Sequence, residues 1–124
     1  MAKVLVVDDS PTEVHVLKTL LEKNGHEVGV AESGEEGVVV AKGMLPDVVL
    51  MDVVMPGMNG FQATRQLSQQ AETANTPVII VTTKDQETDK VWAKRQGAVD
   101  YIVKPVQEKA LIDALRCYHS LEDI

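Results

Sequence analysis

The chain has 124 residues, 44% of them hydrophobic, which suits one compact domain with a single core and leaves no room for a second domain. Its 12 basic and 19 acidic residues give a formal net charge of -7, and this excess of acid argues against nucleic acid or an anionic lipid surface as the partner. The single cysteine, Cys117, excludes an intramolecular disulfide and favours a reducing compartment, the cytoplasm.

The sequence carries no recognisable targeting or membrane segment. The N-terminal stretch MAKVLVVDDS has an apolar run too short for a signal peptide, so it predicts a first strand. No apolar stretch approaches the roughly 18 residues of a membrane span. We therefore expect a soluble, cytoplasmic protein without membrane insertion.

Five short apolar runs, rich in β-branched residues, predict strands of a parallel sheet that is covered on both faces. These runs are residues 4–7, 28–31, 48–51, 78–81 and 101–103. Helical patterns separate them in strict alternation, which predicts an α/β fold with right-handed crossovers and helices on both faces of the sheet.

The helices have recognisable start and stop signals. Ser10-Pro11-Thr12-Glu13 predicts a capping box with proline at the first helical position, and Gly25 ends that helix. Ser33 opens a second capping box and a helix to about Met44. A third helix is predicted for 61 to about 69, a fourth for about 86–96, and a fifth from about 107. Inward-facing residues are predicted to be Phe61, Thr64 and Leu67 on the third helix and Leu111, Leu115 and Leu121 on the fifth.

Polar residues gather where the predicted strands end, and parallel sheets bind their ligands at the carboxyl ends of strands. Two carboxylates follow the first strand, one follows the third, two hydroxyls close the fourth, and a lysine follows the fifth. In order these residues are Asp8, Asp9, Asp52, Thr82, Thr83 and Lys104.

Three neighbouring carboxylates cannot all stay ionised without a counter-charge, since two unit charges about 4 Å apart repel by roughly 4 kcal/mol at an effective dielectric near 20. Mg²⁺ suits this position because it takes one or two carboxylates, keeps several waters and leaves positions for phosphate oxygens. Lys104 offers a compact positive charge for an anion. A carboxylate such as Asp52 can form an aspartyl phosphate, so the sequence predicts a site for a phosphoryl group.

Four ordered motifs, VVDDS, DVVMPGMNG, PVIIVTT and DYIVKP, carry a family resemblance. In this order and spacing they resemble the receiver domain of two-component response regulators, the CheY-like fold, over essentially the whole chain. The resemblance implies a flavodoxin-like, five-stranded parallel sheet in the order 2-1-3-4-5. It further implies a single receiver domain over residues 1–124 without an output domain, and a phosphoacceptor switch rather than an enzyme.

The resemblance assigns roles to the residues at the strand ends. It implies that Asp52 is the phosphoacceptor and that Lys104 contacts the phosphoryl group. It also implies a Mg²⁺ site formed by Asp8, Asp9, Asp52 and the backbone carbonyl of Val54.

A switch is implied by the same family pattern. Thr82 is the hydroxyl that moves toward the phosphoryl group, and its departure opens space beneath the fourth helix. Tyr101 is the aromatic residue that then rotates inward. The Lys104–Pro105 peptide is cis in the family.

Three further stretches, SPTE, GFQATRQL and VTTKDQETDKVW, are similar to the stand-alone receivers of the type IV pilus chemotaxis-like system. This similarity implies control of twitching motility and a CheA-class histidine kinase as the phosphate source. It also implies a downstream protein partner that binds the face formed by the fourth helix, fifth strand and fifth helix. In the family, the positions of Val54 and Lys84 influence the lifetime of the phosphate.

Other functions compete with this interpretation. A phosphate sink for the same kinase would differ from an output regulator mainly in phosphate lifetime. A phosphohydrolase of the haloacid dehalogenase type also uses an Asp nucleophile and Mg²⁺, but it expects a second Asp where this sequence has Val54. A flavodoxin-like FMN binder would need a hydroxyl- and glycine-rich loop after the first strand, which this sequence lacks.

The remaining notable residues are interpreted as structural. His15, His26 and His119 have no mutual metal-ligand spacing. The single tryptophan, Trp92, is predicted to fill the core rather than to anchor a partner.

Overall fold

Residues 1–119 are described by a computed structural model, and within them five strands alternate with five helices. The strands are β1 Lys3–Val7, β2 Glu27–Ala31, β3 Val48–Met51, β4 Val78–Thr82 and β5 Asp100–Val103. The helices are α1 Pro11–Lys23, α2 Gly34–Met44, α3 Gly60–Gln69, α4 Glu87–Gln96 and α5 Glu108–His119. None of these helices is both long and apolar enough to cross a bilayer.

The strands form one parallel sheet in the order β2-β1-β3-β4-β5, which confirms the predicted fold class and topology. The strand order changes direction between β1 and β3, and sheets of this kind form ligand crevices at such a switch point. In the register of these two strands Val7 pairs with Met51. The residues that follow, Asp8 and Asp52, therefore leave the sheet side by side.

Both faces of the sheet are buried, which explains why the strands lack polar alternation. In β1, Leu5 and Val7 join a core cluster that contains residues of α2, α3 and α4. The intervening Val4 and Val6 join a second cluster with residues of α1 and α5. Burial of apolar surface on both sides makes β1 and β3 a rigid base for the residues at their ends.

The predicted inward-facing residues of α3 and α5 are buried where the structure describes them: Phe61, Thr64, Leu67, Leu111 and Leu115. Leu121 and the side chain of His119 lie outside the described part of the chain. His26 accepts a hydrogen bond from the backbone N–H of Ala2 through Nδ1, which agrees with its structural interpretation.

The predicted capping boxes at α1 and α2 prove to be simple N-caps. The hydroxyls of Ser10 and Ser33 accept hydrogen bonds from the backbone N–H groups of Glu13 and Glu36, at 3.4 and 3.1 Å. A complete box with both hydrogen bonds begins α3, where Asn59 is the cap. The predicted start at Phe61 is one residue late, since Asn59 is as good a cap as serine or threonine.

The prediction that Trp92 fills the core is wrong. Its residue surface is 48% exposed, and the buried residues of α4 are Ala93 and Gln96. Only a narrow side of α4 faces the sheet, and Trp92, one residue and about 100° away from Ala93, lies outside it.

Candidate functional site

Three carboxylates meet at the carboxyl ends of β1 and β3. Asp8 and Asp52 are buried, with 1% and 8% of their surfaces exposed, whereas Asp9 is exposed. One oxygen from each of the three lies within 4.8 Å of the other two. The parallel register of β1 and β3 causes this convergence, because it brings the two strand ends to the same level.

Lys104 follows β5 and extends its side chain into this acidic group. Its Nζ lies 2.8 Å from Asp8 Oδ2 and 3.7 Å from Asp52 Oδ2, and only 7% of the side chain is exposed. The backbone N–H of Lys104 donates to the carbonyl of Thr82, and the Lys104–Pro105 peptide is cis. Lys104 is therefore held in place through both its backbone and its side chain.

The site shifts the pKa values of Asp52 and Lys104. Burial raises the pKa of Asp52 most. The positive charge of Lys104 lowers it, the charge of Asp8 raises it further, and the nearby Thr82 hydroxyl and Val53 N–H have smaller lowering effects. Burial alone would lower the pKa of Lys104, but the hydrogen bond to Asp8 and the surrounding carboxylates outweigh it and raise that pKa. The ionised form of Asp52 is thus under-compensated in the protein alone, which favours binding of a further cation.

Backbone groups fix the two buried carboxylates. Asp52 Oδ1 accepts a hydrogen bond from the N–H of Val53 at 2.8 Å, and Asp8 Oδ1 accepts one from Ser10 at 2.9 Å. Gly60, the first residue of α3, packs directly against the Asp52 carbonyl, where any Cβ would overlap. A glycine is required at this position because the start of α3 holds the backbone of Asp52.

Thr82 ends β4 beside these carboxylates and is fully buried. Its hydroxyl lies close enough to lower the pKa of Asp52, yet it forms no hydrogen bond of standard geometry among the described residues. Such an unsatisfied buried hydroxyl is uncommon and is suited to a ligand oxygen. The neighbouring Thr83 is exposed and takes no part in the site.

Tyr101, in β5, is half-buried, and its hydroxyl donates to the carbonyl of Lys84 at 2.7 Å. Burial first, and then the charges of Asp89, Asp85 and Asp52, raise its pKa to about 12. The tyrosine therefore stays protonated and able to donate this hydrogen bond at any ordinary pH. The hydrogen bond ties it to the β4–α4 loop that follows Thr82.

Val54 lies next to Asp52 on the surface, with 61% of the residue exposed. It presents an apolar side chain to the solvent beside the acidic group. The assignment of its backbone carbonyl to a metal remains a prediction.

One site residue was missed by the sequence analysis. Glu13 Oε2 lies 3.6 Å from Lys104 Nζ, and 40% of the Glu13 side chain is exposed. The sequence assigned this glutamate to the capping of α1, a local role that hid its position. Its short distance in the sequence from Asp8 and Asp9 was the available signal for this position.

The donor set fits Mg²⁺. Hard carboxylate oxygens from Asp8, Asp9 and Asp52 are within reach of one ion, and Asp9 is open to solvent, so bound waters can be retained. Burial raises the pKa of Asp52 more than the charge of Lys104 lowers it, so a further cation would stabilise the ionised carboxylate.

The chain belongs to the response regulator receiver domain family, which it matches over residues 4–116. It is 64% identical to Protein PilH of Pseudomonas aeruginosa over 115 residues, which are 93% of this chain and 95% of that protein. This confirms the family resemblance drawn from the motifs.

Solved structures show the same fold. The chemotaxis protein CheY4 of Vibrio cholerae has a TM-score of 0.90 and 34% identity, with 95% of this chain and 98% of that chain covered. The receiver domain of the sensor histidine kinase PA1611 from Pseudomonas aeruginosa has a TM-score of 0.88 and 27% identity over 94% of this chain and 96% of that one. In that structure a magnesium ion is coordinated in the active-site cleft.

Proposed function

We propose that this protein is a phosphorylation-switched binding module, a single receiver domain that accepts a phosphoryl group on Asp52 and changes its protein contacts in response. The observation that carries the proposal is the meeting of the Asp8, Asp9 and Asp52 carboxylates within 4.8 Å, with the buried ammonium of Lys104 2.8 Å from Asp8. The chain covers 95% of the length of PilH, so the proposal concerns the receiver domain.

Each residue of the site has a role in this proposal. A carboxylate oxygen of Asp52 attacks the phosphorus of a phosphohistidine; the P–O bond forms, the P–N bond breaks, and the imidazole takes up a proton. Asp8, Asp9, Asp52 and the carbonyl of Val54 would hold Mg²⁺, which would supply positive charge for the phosphoryl oxygens. Lys104 contacts another phosphoryl oxygen.

Thr82 and Tyr101 convert the new charge into a change of surface. The Thr82 hydroxyl, which has no partner of standard geometry among the described residues, gains one when it donates to a phosphoryl oxygen. Its movement frees space beneath α4, and the side chain of Tyr101 rotates inward into that space. Thr82→Ala should therefore accept phosphate and lose the response of the partner, whereas equal partner binding by the variant and the wild type would contradict the switch.

The kinase and the output follow from the subfamily. We propose a CheA-class histidine kinase as phosphate donor and a role in type IV pilus twitching motility, with the protein in the cytoplasm. The identity to PilH and the similarity of three sequence stretches to the stand-alone pilus receivers support this proposal. The partner is proposed to bind the face of α4, β5 and α5. On this face the exposed apolar residues Val91 and Val99 line a groove together with Tyr101. A phosphate sink for the same kinase is the alternative, and the lifetime of the phosphate separates the two.

The test is phosphorylation by acetyl phosphate with Mg²⁺. Intact-protein mass spectrometry should find a gain of one phosphoryl group that is lost in Asp52→Ala and kept in Asp85→Ala, a matched change at an exposed aspartate. A wild type that gains no phosphoryl group would overturn the proposal, and turnover of many phosphomonoesters would support a phosphohydrolase instead. Transfer from candidate CheA-class kinases then tests the proposed donor.

A further inference from the structure

Lys104 has one carboxylate neighbour besides those of the phosphoacceptor site. Its Nζ lies 2.8 Å from Asp8, 3.6 Å from Glu13 and 3.7 Å from Asp52. Asp8 and Asp52 belong to the metal and phosphoryl site. Glu13 is the additional carboxylate, since it lies outside the group of three acids whose oxygens lie within 4.8 Å of one another.

The start of α1 explains why Glu13 takes this position. The Ser10 hydroxyl accepts the backbone N–H of Glu13, which fixes the first turn, and the N–H of Ser10 donates to Asp8. That N–H is the group a capping-box glutamate would bind. The side chain of Glu13 is therefore free to approach Lys104.

The position of Glu13 has an electrostatic consequence for a phosphorylated Asp52. A phosphoryl group brings a charge of about -1.5 to -2 next to an ammonium that Glu13 already shares. The carboxylate of Glu13 both competes for Lys104 and repels the phosphoryl oxygens. With 40% of its side chain exposed, it is partly screened, so its influence is graded rather than all-or-none.

We propose that Glu13 is a positioning residue that acts through Lys104 to weaken phosphoryl binding at Asp52 and to strengthen binding of the metal cation. This inference rests on the proposed function. It adds a residue that sets how readily the site is phosphorylated, because removal of one nearby negative charge favours an incoming anion and disfavours an incoming cation.

The experiment compares Glu13→Gln with the wild type in two binding measurements. At saturating Mg²⁺, the variant should bind beryllofluoride, a phosphoryl analogue, about three- to tenfold more tightly at low salt, the size expected for one partly screened charge. In the absence of any anion, its affinity for Mg²⁺ should fall by a similar factor, measured by isothermal titration calorimetry. Both differences should shrink at high ionic strength.

Opposite signs for the anion and the cation distinguish a charge effect from a loosened site, which would weaken both ligands. Glu36→Gln is the matched control, because Glu36 occupies the same helical position behind the Ser33 cap of α2. Glu13→Asp keeps the charge and should recover part of the wild-type behaviour in both measurements.

Two outcomes would overturn the inference. One is Glu13→Gln binding both ligands as Glu36→Gln does, and the other is a change of the same sign for beryllofluoride and Mg²⁺. Failure of the proposed function is a separate result: a wild type that takes no phosphoryl group from acetyl phosphate and does not bind beryllofluoride at all.

Discussion

The ammonium of Lys104 and the carboxylate of Asp8 lie 2.8 Å apart, although 96 positions separate them in the sequence. Their side chains are 7% and 2% exposed. The ion pair joins the end of β1, inside the sheet, to the end of β5 at its edge. It thereby links the first and last strands of the fold across the site.

Loss of this ion pair is expected to destabilise the metal-free protein. Lys104→Met leaves the buried carboxylates of Asp8 and Asp52 without their counter-charge and should lower the free energy of unfolding by about 3 kcal/mol, as broken buried pairs do. Mg²⁺ should restore part of the loss, because a ligand that binds only the folded state stabilises it. Urea unfolding with EDTA and with Mg²⁺ measures both effects.

Lys109→Met is the control for this prediction, because Lys109 pairs with Asp113 at the surface, where the side chains are 86% and 54% exposed. It should leave the free energy of unfolding nearly unchanged. Similar losses in the two lysine variants would mean that Lys104 contributes no more than a surface charge.

Asp52→Asn should stabilise the metal-free protein at neutral pH. Burial, as the largest cause, raises the pKa of Asp52 above its ordinary value of 3.8. The stability that the protonated Asp52 carboxyl contributes to the fold is therefore fully present below pH 3.8, and it is lost as the pH rises through the folded pKa. The amide avoids this loss and should raise the free energy of unfolding by roughly 1 kcal/mol at pH 7, a typical size for one substitution.

Urea unfolding of both proteins in EDTA at pH 7 and pH 4 checks this prediction. The difference in the free energy of unfolding between the variant and the wild type should shrink toward pH 3.8 as the wild-type carboxyl becomes protonated. A variant that is no more stable than the wild type at pH 7 would show that the charge of Asp52 is already fully compensated in the folded protein.

The architecture could be predicted from sequence because each strand is a short β-branched run that must be covered on both faces. The strand-end residues Asp8, Asp52 and Lys104 followed from the same reasoning, since parallel strands bring their carboxyl ends to one edge. These predictions used only local composition and the general geometry of parallel sheets, whereas the strand order 2-1-3-4-5 was implied by the family resemblance.

The contacts made by individual side chains could not be predicted in this way. Glu13 has a sufficient local explanation as an acid in the first turn of α1, so its approach to Lys104 depends on where β5 ends in space. Trp92 was misassigned because hydrophobicity favours burial, whereas the buried residues of α4 are Ala93 and Gln96. Both errors concern which side chains meet, which the local sequence does not encode.

Thr82→Val should stabilise the unphosphorylated protein by about 1 kcal/mol. Thr82 is fully buried, and its hydroxyl lacks a partner of standard geometry among the described residues, so an apolar side chain of the same shape removes a desolvated polar group. Thermal and urea unfolding measure the change.

Thr64→Val is the matched comparison, because Thr64 is equally buried but donates to the Gly60 carbonyl at 2.7 Å. That variant removes a hydrogen bond that the folded protein makes and should lose about 1 kcal/mol. If the two valine variants shift stability in the same direction, the hydroxyl of Thr82 is better satisfied than its geometry indicates.

Val54→Asn should shorten the lifetime of the phosphate on Asp52. The valine is 61% exposed beside the acceptor and cannot orient a water by hydrogen bonding, whereas an amide can. The half-life after removal of acetyl phosphate, followed by mass spectrometry, tests this. Val39→Asn is the control, since Val39 is a comparably exposed valine on α2. An unchanged half-life in the Val54 variant would remove water access at this position as the limiting factor.

The exposure of Trp92 gives the molecule a built-in optical reporter. The chain has one tryptophan, and it is about half exposed on α4. Its tryptophan fluorescence, excited where tyrosine does not absorb, therefore arises from that helix alone, without any label. A partner that covers α4 should shift the emission to shorter wavelength as the indole leaves water, whereas one that binds the opposite side of the sheet should leave the spectrum unchanged.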